Sequence, residues 1–408
     1  MISKPEGILI IGGGVLQIPA IKKAREMGLV TYLSDGSESC LAKDYADFFF
    51  KVDTKDVDAT ADLAVKLKNE GKINGVYTQG NDVEYTVAYA AHKAGLFGIP
   101  VEAAFNCNNK IKMRAALSEA GLDHAKYASA KTFEELEYAV EKVGFPCYVK
   151  PADNSASRGI RRLANGEDLE KIFGEAIAAC VHSKELLVEE EIPGDEYSVD
   201  TVLYDGKCFP AGISDRIFLE KSDFAIQSGS RTPSLLPEKV QKRMYEIMAL
   251  AAKAMNVNYG AFKGDLALTP NGEVKIIEIT ARTSGGFDSQ FRKPFSFGID
   301  ILKATIDIAL GRPLDPLDLI PKWIKWSSTT SVFPEPGIVT EILGLEDLKA
   351  IPGVREVIML CKPGDEVGPY IHCATRKNYV ISSADSLEDL KIIETKAAGT
   401  LIIKTRKK

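Results

Sequence analysis

Two acidic residues in the second half of the chain have the spacing of a metal-binding pair. Asp265 and Glu278 lie in two apolar runs that the dipeptide Asn271-Gly272 separates. Asn-Gly between hydrophobic runs predicts a β-hairpin, which brings residues of the two runs side by side. Neighbouring carboxylates repel each other unless a cation lies between them, and Mg²⁺ prefers such oxygen ligands. The pattern therefore predicts a magnesium site, with a structural salt bridge across the hairpin as the alternative.

Lys150 is a second position that suggests chemistry. It ends the apolar run 146–149, and a loop of small polar residues, 152–159, follows it. Removing an ammonium group from water costs free energy unless an anion accompanies it, and phosphate is such an anion. Successive backbone N–H groups of small residues can also surround an anion. These features predict phosphate binding, with a lysine that snorkels out of a strand end as the structural alternative.

The segment 187–199 reads Leu-Val-Glu-Glu-Glu-Ile-Pro-Gly-Asp-Glu-Tyr-Ser-Val. Lys110, Lys150, this segment and the acidic pair follow one another along the chain. In this order and spacing the chain resembles the ATP-grasp superfamily, and the resemblance extends from the first strand to about residue 310. That superfamily includes L-amino-acid ligases, D-alanine ligases, glycinamide ribonucleotide synthetases, biotin carboxylases and carbamoyl-phosphate-synthase-like proteins. The resemblance implies an ADP-forming carbon–nitrogen ligase that activates a carboxylate as an acyl phosphate and couples it to an amine. It implies ATP with Mg²⁺, for which Mn²⁺ is a substitute.

The same resemblance implies roles for individual residues. Segment 187–199 is similar to the hinge that holds adenine, so Glu189 would face the adenine amino group and the Glu190 carbonyl would accept from it. The Ile192 N–H would donate to the ring, and Glu196 would bind the ribose hydroxyls. The nucleotide-binding set implied is Lys110, Lys150, Ser155, Ser157, Gly159, Glu189, Glu190, Ile192 and Glu196.

Catalytic and metal-binding roles follow from the resemblance in the same way. Arg282 matches the arginine that stabilises the acyl phosphate, and with Lys150 it forms the catalytic set. The family usually has an asparagine metal ligand where this chain has Thr280, which leaves open whether there are one or two metal sites beside Asp265 and Glu278. Because an acyl phosphate hydrolyses in water, a closing loop is expected, and the segment 155–159 is the candidate.

Substrate contacts are less constrained by the pattern. Arg216 and Arg231 follow the hinge and suit either a substrate carboxylate or a surface ion pair. The chain lacks the histidine that many relatives carry in the segment 227–234. The candidate substrate residues are Arg216, Arg231, Gly285, Gly286 and Glu84, the last with its neighbours Asn81 and Asp82 for an amine.

The elements that position these residues follow from hydrophobic periodicity. Strand and helix patterns alternate over the first hundred residues, which predicts a doubly wound parallel sheet. We expect a mixed α/β and α+β chain with a Rossmann-like domain at 1–107, an ATP-grasp domain at 108–312 and a C-terminal α/β lobe at 313–408. The small lobe of the ATP-grasp domain is expected at about 118–187.

A glycine-rich turn near the N-terminus supports a competing interpretation. Gly12-Gly13-Gly14 follows the first strand and Asp35 ends the second, as in nicotinamide dinucleotide sites. The third glycine of that motif would fall at Gln17, so a tight turn or contact with a small ligand is the other explanation. The turn leaves a nicotinamide dehydrogenase as an alternative.

Composition restricts the remaining classes. The 408 residues include 57 acidic and 51 basic side chains, a net charge of −6, which gives no electrostatic reason to expect nucleic-acid or membrane binding. Seven cysteines without a Cys-x-x-Cys pair, and four histidines without ligand spacing, disfavour a disulfide framework and a transition-metal centre. We expect a cytoplasmic protein that acts on small carboxylates and amines. Relatives are often homodimers.

Other functions within the resemblance stay open at this point. One is an enzyme similar to glycinamide ribonucleotide synthetase, and another is a carboxylase-like enzyme that phosphorylates bicarbonate. A third is a regulatory protein that binds ATP without catalysis. Thr280 is the residue that motivates the last of these.

Overall fold

The computed structural model describes residues 6–122, 124–154, 157–165, 167–219 and 226–407, with the side chain of residue 374 excepted. The strands are β1 (Gly7–Ile11), β2 (Val30–Asp35), β3 (Phe48–Lys51), β4 (Gly75–Tyr77), β5 (Tyr127–Ala130), β6 (Cys147–Pro151), β7 (Arg161–Leu163), β8 (Leu186–Glu190), β9 (Asp195–Tyr204), β10 (Lys207–Phe218), β11 (Gln227–Thr232), β12 (Gly260–Leu268), β13 (Val274–Thr280), β14 (Trp326–Thr330), β15 (Gly337–Leu343), β16 (Val354–Met359), β17 (Glu366–Val367), β18 (Asn378–Ala384) and β19 (Ile402–Arg406). The helices are α1 (Ile18–Glu26), α2 (Val57–Asn69), α3 (Glu84–Lys93), α4 (Val101–Asn108), α5 (Lys110–Glu119), α6 (Phe133–Val143), α7 (Leu169–Ala178), α8 (Glu238–Ala254), α9 (Lys293–Phe297), α10 (Ile301–Ala309), α11 (Leu345–Lys349) and α12 (Leu387–Thr400).

The N-terminal sheet is parallel, with strand order β3-β2-β1-β4. Every residue of β1 is buried, because helices cover both faces of the sheet. Leu9 and Ile11 pack towards the side of α2 and α3, whereas Ile8 and Ile10 pack towards α1 and α10. The expectation of a parallel, doubly wound sheet in a mixed α/β chain is confirmed.

A smaller antiparallel sheet follows, in the order β5-β8-β6-β7. Helices α6 and α7 cover one face, where Leu136, Val149 and Val188 are buried in a common core. Tyr148 and Lys150 alternate with the buried residues of β6 and therefore point to the other face.

The largest sheet has eight antiparallel strands in the order β13-β12-β9-β10-β11-β14-β18-β16. Helices α5 and α8 cover one face of β9, β12 and β13. On the opposite face, α10 packs over Val202 of β9, whereas Glu196 and Ser198 of the same strand face an open cleft. The sheet continues beyond the position of the proposed 312/313 boundary, because β14 pairs with β11.

The β12–β13 hairpin is confirmed, although its loop is longer than two residues. The Gly272 N–H donates to the Thr269 carbonyl over 2.9 Å, and Gly272 adopts a φ of +82°. This geometry is that of a three-residue loop closed by a left-handed residue, in which glycine avoids the strain of a Cβ.

The C-terminal residues form a three-stranded sheet, β17-β15-β19. It shares a core with α11 and α12 through Leu348, Ala397 and Leu401. Across the described parts of the chain, every helix is too short or too polar to cross a bilayer.

Candidate functional site

A cleft of about 590 Å³ lies between the small sheet and the eight-stranded sheet. This volume is typical of a small-molecule site. The small sheet contributes Tyr148, Lys150 and Glu189 to the lining of the cleft, and the hinge contributes Glu190, Ile192 and Gly194. The large sheet contributes Glu196, Arg216, Lys263, Asp265, Glu278 and Tyr379. Further lining residues are Asp82, Lys110, Arg282, Gly285, Gly286 and Arg376.

The acidic pair lines the cleft. Asp265 and Glu278 are directly opposite each other in the β12–β13 ladder. The Lys263 Nζ lies 2.5 Å from Asp265 Oδ2, and the Lys110 Nζ lies 2.8 Å from Glu278 Oε1. Burial alone would raise the pKa of Glu278, but the charges of Lys110 and Lys263 hold it below its usual value. Glu278 is therefore ionised at neutral pH.

The donor set fits a hard cation. Asp265 Oδ1 is buried and has no hydrogen-bond partner among the described residues, and Thr280 Oγ1 is in the same situation. Within the described ranges, no cluster of three or more His, Cys, Asp and Glu side chains forms a complete metal site. A cation at this position would thus take its remaining ligands from water and a bound anion, as Mg²⁺ commonly does.

The two predicted phosphate lysines reach the cleft from different elements. Lys110 is the first residue of α5, whose N-terminus Asn109 caps, and its Nζ donates to the Asn154 carbonyl over 2.8 Å. Burial would lower the pKa of Lys110, but Glu278 keeps it above its usual value. Lys150 projects from β6, and its Nζ lies 2.9 Å from Glu189 Oε1. Both ammonium groups are held in place by anions of the protein.

Glu189 is bound by a residue that the sequence did not single out. Arg114 is fully buried, and its Nη2 lies 2.9 Å from Oε1 and 3.1 Å from Oε2 of Glu189. It also donates to the carbonyls of Ile276 and Ile277. Burial would raise the pKa of Glu189, but Arg114 and Lys150 lower it to about 2. Both oxygens of Glu189 are engaged by cations, so its carboxylate positions Lys150 within the site.

The hinge lies against the large sheet. Gly194 has a φ of +121°, and a Cβ at this residue would collide with the carbonyl of Leu268 in β12. Glu196 is the second residue of the following strand, β9, and its Oε2 accepts from Arg216 Nη1 over 2.6 Å. Arg216 is also 3.5 Å from Asp265 Oδ2, so it connects the hinge side of the cleft to the acidic pair.

Arg282 enters the cleft from the segment after β13. Its Nε donates to Asp82 Oδ1 over 2.6 Å, and its Nη1 donates to the Thr283 carbonyl over 2.9 Å. Burial would lower the pKa of Arg282, but Asp82 and Glu84 raise it. The guanidinium therefore remains charged where it lines the cleft.

Glu84 does not line the cleft, contrary to its selection as a substrate residue. It is 2% exposed and lines a separate cavity of about 100 Å³ between the N-terminal sheet and the segment after β13. Its Oε2 accepts from Asn108 Nδ2, whereas Oε1 has no partner among the described residues. Burial, and then the charge of Asp82, raises the pKa of Glu84 to about 7. The reason for its position is that it begins α3, which packs behind the cleft wall.

Arg231 is also placed away from the cleft. Arg216 and Ser230 are opposite each other across β10 and β11, and both line the cleft. Arg231 is the next residue, so its side chain points to the other face of the sheet. There it binds Glu394 of α12, with its Nη2 2.6 Å from Oε2. The structure therefore places Arg231 outside the cleft, contrary to its selection, whereas Arg216 lines the cleft and its substrate role stays a prediction.

The loop after β6 is described in part, and Ser155 lies outside the described residues. Ser157 lines the cleft and has a φ of +63°. Gly159 does not line the cleft; it has a φ of +73°, and a Cβ there would collide with Ala179. Asp153 anchors the loop by accepting from the N–H groups of 181–183.

Four further residues that line the cleft were not predicted from the sequence: Asp288, Arg292, Arg376 and Tyr379. A π-helical turn, Asp288–Arg292, brings Asp288 and Arg292 together at 2.7 Å. Arg376, in the loop before β18, and Tyr379, in β18, line the same cleft. No local motif marks these residues, because the long segments between β11, β14 and β18 set their position.

The glycine turn after β1 is explained by its own contacts. The Gly13 N–H donates to Asp35 Oδ2 over 2.7 Å, and Gly12 has a φ of +97°. Asp35 therefore closes the turn, which accounts for both features that suggested a nicotinamide site.

Two family models match the chain. The model described as "ATP-grasp domain" matches residues 143–290, and the one described as "L-amino acid ligase C-terminal domain 2" matches residues 330–406. An L-arginine-specific L-amino acid ligase of Bacillus subtilis is 25% identical over 360 residues, which are 86% of each chain. An alanine–anticapsin ligase of Bacillus subtilis strain 168 is 27% identical over 248 residues, 54% of this chain and 51% of that ligase. The chain thus spans about half the length of the second relative.

Solved structures share the whole fold. An L-amino acid ligase from Bacillus licheniformis superimposes with a TM-score of 0.84 at 22% identity, covering 99% of this chain and 100% of that one. A phosphoribosylglycinamide synthetase from Anaerococcus prevotii gives a TM-score of 0.77 at 22% identity, with the same coverage. At this identity the likeness establishes the arrangement of the lobes.

Proposed function

We infer that this chain, an ADP-forming carbon–nitrogen ligase of the ATP-grasp superfamily, activates a carboxylate as an acyl phosphate and couples it to an amine, with amino acids as the substrate class. The observation that carries the proposal is the convergence of three cations, Lys110, Lys150 and Arg282, on the cleft that contains the Asp265–Glu278 pair. The match of residues 330–406 to the C-terminal domain of L-amino acid ligases supports the substrate class.

The nucleotide lies along the hinge in this proposal. Backbone groups of Glu190 and Ile192 orient adenine, and Glu196 binds the ribose hydroxyls after exchanging its contact with Arg216. Lys110 and Lys150 bind the α- and β-phosphates. In doing so they exchange the carboxylates of Glu278 and Glu189 for phosphate oxygens.

The reaction has two steps. A substrate carboxylate oxygen attacks the γ-phosphorus, the bond to the bridging oxygen breaks, and its electron pair leaves with ADP. The amine nitrogen then attacks the acyl carbon and loses a proton as the carbon–phosphate oxygen bond breaks and phosphate leaves. Arg282 stabilises the charge on the transferring group and then on the acyl phosphate, because its planar fork matches two oxygens.

Asp265 and Glu278, with Thr280 beside them, would hold Mg²⁺. A bound metal would supply positive charge that neutralises the phosphates. Lys263 shares Asp265, so it keeps the pair partly neutralised when no cation is present.

The remaining work of the protein is to exclude water from the acyl phosphate. Ser157, which belongs to the proposed closing segment 155–159, and Arg376 both line the cleft, and we assign this task to the regions that carry them. Gly285 and Gly286 also line the cleft, and because they lack side chains their backbone can approach the acyl group closely.

The test is the release of ADP and phosphate from Mg²⁺-ATP with amino acids and other small carboxylates, supplied singly and in pairs. We expect turnover that requires both a carboxylate and an amine, and a loss of at least about 100-fold in the Asp265→Ala/Glu278→Ala variant. Phosphate release that needs bicarbonate alone would favour the carboxylase-like alternative, and release with phosphoribosylamine and glycine the synthetase-like one. ATP binding without release would favour a regulatory protein.

A further inference from the structure

Charged side chains along the cleft are almost all paired. Six cations that line it, Lys110, Lys150, Arg162, Arg216, Lys263 and Arg282, each lie within 4 Å of a carboxylate. Arg292 is likewise bound to Asp288. Among the cleft residues that the structure describes, Arg376 is the one cation without a carboxylate at that distance.

Arg376 is nevertheless buried, with 9% of its surface exposed. Its Nε donates to the Cys373 carbonyl over 3.3 Å, and its guanidinium carbon lies 4.9 Å from the centre of the Tyr379 ring. These contacts fix the plane of the guanidinium and leave its two terminal nitrogens without a partner in the described residues. Burying a charge in this way costs free energy unless an anion joins it.

The position of Arg376 indicates which anion. The Tyr379 ring packs edge-on against Phe287, with ring centres 5.0 Å apart, and Phe287 directly follows Gly286. Arg376 is therefore connected through the Tyr379 ring to Phe287, and it lines the same cleft as Arg282, Gly285 and Gly286. The ATP phosphates have their own cations at Lys110 and Lys150.

We propose that Arg376 binds a carboxylate of the substrate that does not react. This inference rests on the proposed ligase function, because it assigns the group to a substrate of that reaction. The carboxylate has two sources: the α-carboxylate of an amino acid that serves as the amine, or a side-chain carboxylate of the acyl substrate. Either source gives the substrate a negative charge on a group that takes no part in the bond being formed. A bidentate contact then orients that end of the substrate.

The experiment measures binding by calorimetry in the presence of Mg²⁺ and a non-hydrolysable ATP analogue. Two ligand pairs differ by one carboxylate: L-alanine against L-alaninamide, and L-glutamate against L-glutamine. We expect the acid of at least one pair to bind about tenfold or more tightly than its amide, and Arg376→Gln to reduce that ratio to about twofold or less. The first pair reports an amine-substrate carboxylate and the second a side-chain carboxylate.

Arg376→Lys and Arg355→Gln are the matched variants. Arg376→Lys keeps the charge and should restore part of the preference, which a purely structural role would not do. Arg355 is an exposed arginine of the same lobe, bonded to Ser383 Oγ, so its replacement should leave the preference unchanged. Equal binding of acid and amide in both pairs, or a preference that survives in Arg376→Gln, would overturn the proposal. Failure of the ligase function would appear separately, as preserved carboxylate binding without phosphate release.

Discussion

Single side chains in the cleft are held by partners that lie far away in the sequence. Arg114 and Glu189 are 75 residues apart, and Arg282 and Asp82 are 200 apart. The acidic pair could be predicted because a short turn joins its two strands. Arg114 could not, because an arginine within a helix pattern looks like a solvated residue until the strand that covers it is known. Residue types with local spacing were thus predictable, and their long-range partners were not.

Glu84 gives a pH-dependent prediction at this scale. Its pKa of about 7 in the folded chain exceeds the ordinary value of 4.5, because burial and Asp82 disfavour the charged form. The folded state therefore binds more protons than the unfolded state between these values, and this group makes stability fall as pH rises from about 4.5 to 7. Glu84→Gln removes that loss, so its free energy of unfolding relative to the parent should rise by up to about 3 kcal/mol across the range.

Urea unfolding of both proteins at pH 5 and pH 8 measures this difference. Replacing the exposed Glu26 by Gln is the control, and it should give the same stability difference at both pH values. Parallel pH curves for Glu84→Gln and its parent would contradict the prediction.

Elements set the geometry through their close approaches. The hinge lies against β12 because Gly194 leaves room for the Leu268 carbonyl. The hairpin of β12 and β13 was predicted from Asn271-Gly272, and the strands of the N-terminal sheet from their apolar runs. The pairing of β11 with β14 was not predicted, because more than ninety residues separate the two strands and no local sequence pattern specifies which strand pairs with a sheet edge.

Gly194→Ala tests the role of the hinge contact. The new methyl group would collide with backbone, so the hinge must move away from β12 and we expect ATP affinity to fall by about tenfold or more. Gly272→Ala is the matched control: its φ is also positive, but nothing lies within 4 Å of the added carbon. That change should cost about 1 kcal/mol of stability and leave ATP affinity within about twofold. Calorimetric titration with ATP distinguishes the two, and equal affinities would contradict the prediction.

At the level of the whole molecule, the eight-stranded sheet contains strands from both regions that the family models match, residues 143–290 and 330–406. Strands β14, β16 and β18 of the C-terminal region complete a sheet that begins with β9 to β13. Phe287 of the central region shares a core with Tyr379 and Ile381 of β18. The C-terminal lobe is therefore part of one packed structure.

Removing residues 313–408 should prevent stable folding for this reason. The truncated chain would expose the edge of β11 and the apolar groups around Phe287, which favours aggregation. We expect it to elute as aggregates in size-exclusion chromatography and to lose its cooperative thermal transition. A chain that lacks only residues 407 and 408 should behave as the parent, and a monomeric truncated chain with the parent's melting temperature would refute this view.

The same sheet has a consequence for how proteins with this fold can evolve. The groups proposed to bind ATP precede residue 290, whereas Arg376 and Tyr379 come after residue 330, on the far side of one continuous framework. With the proposed roles, mutations in the last eighty residues would alter which molecules are joined and leave the groups proposed to bind ATP unchanged. A lineage that carries this fold can diversify its products by drift in a single terminal region, provided that the strands there keep their places in the sheet.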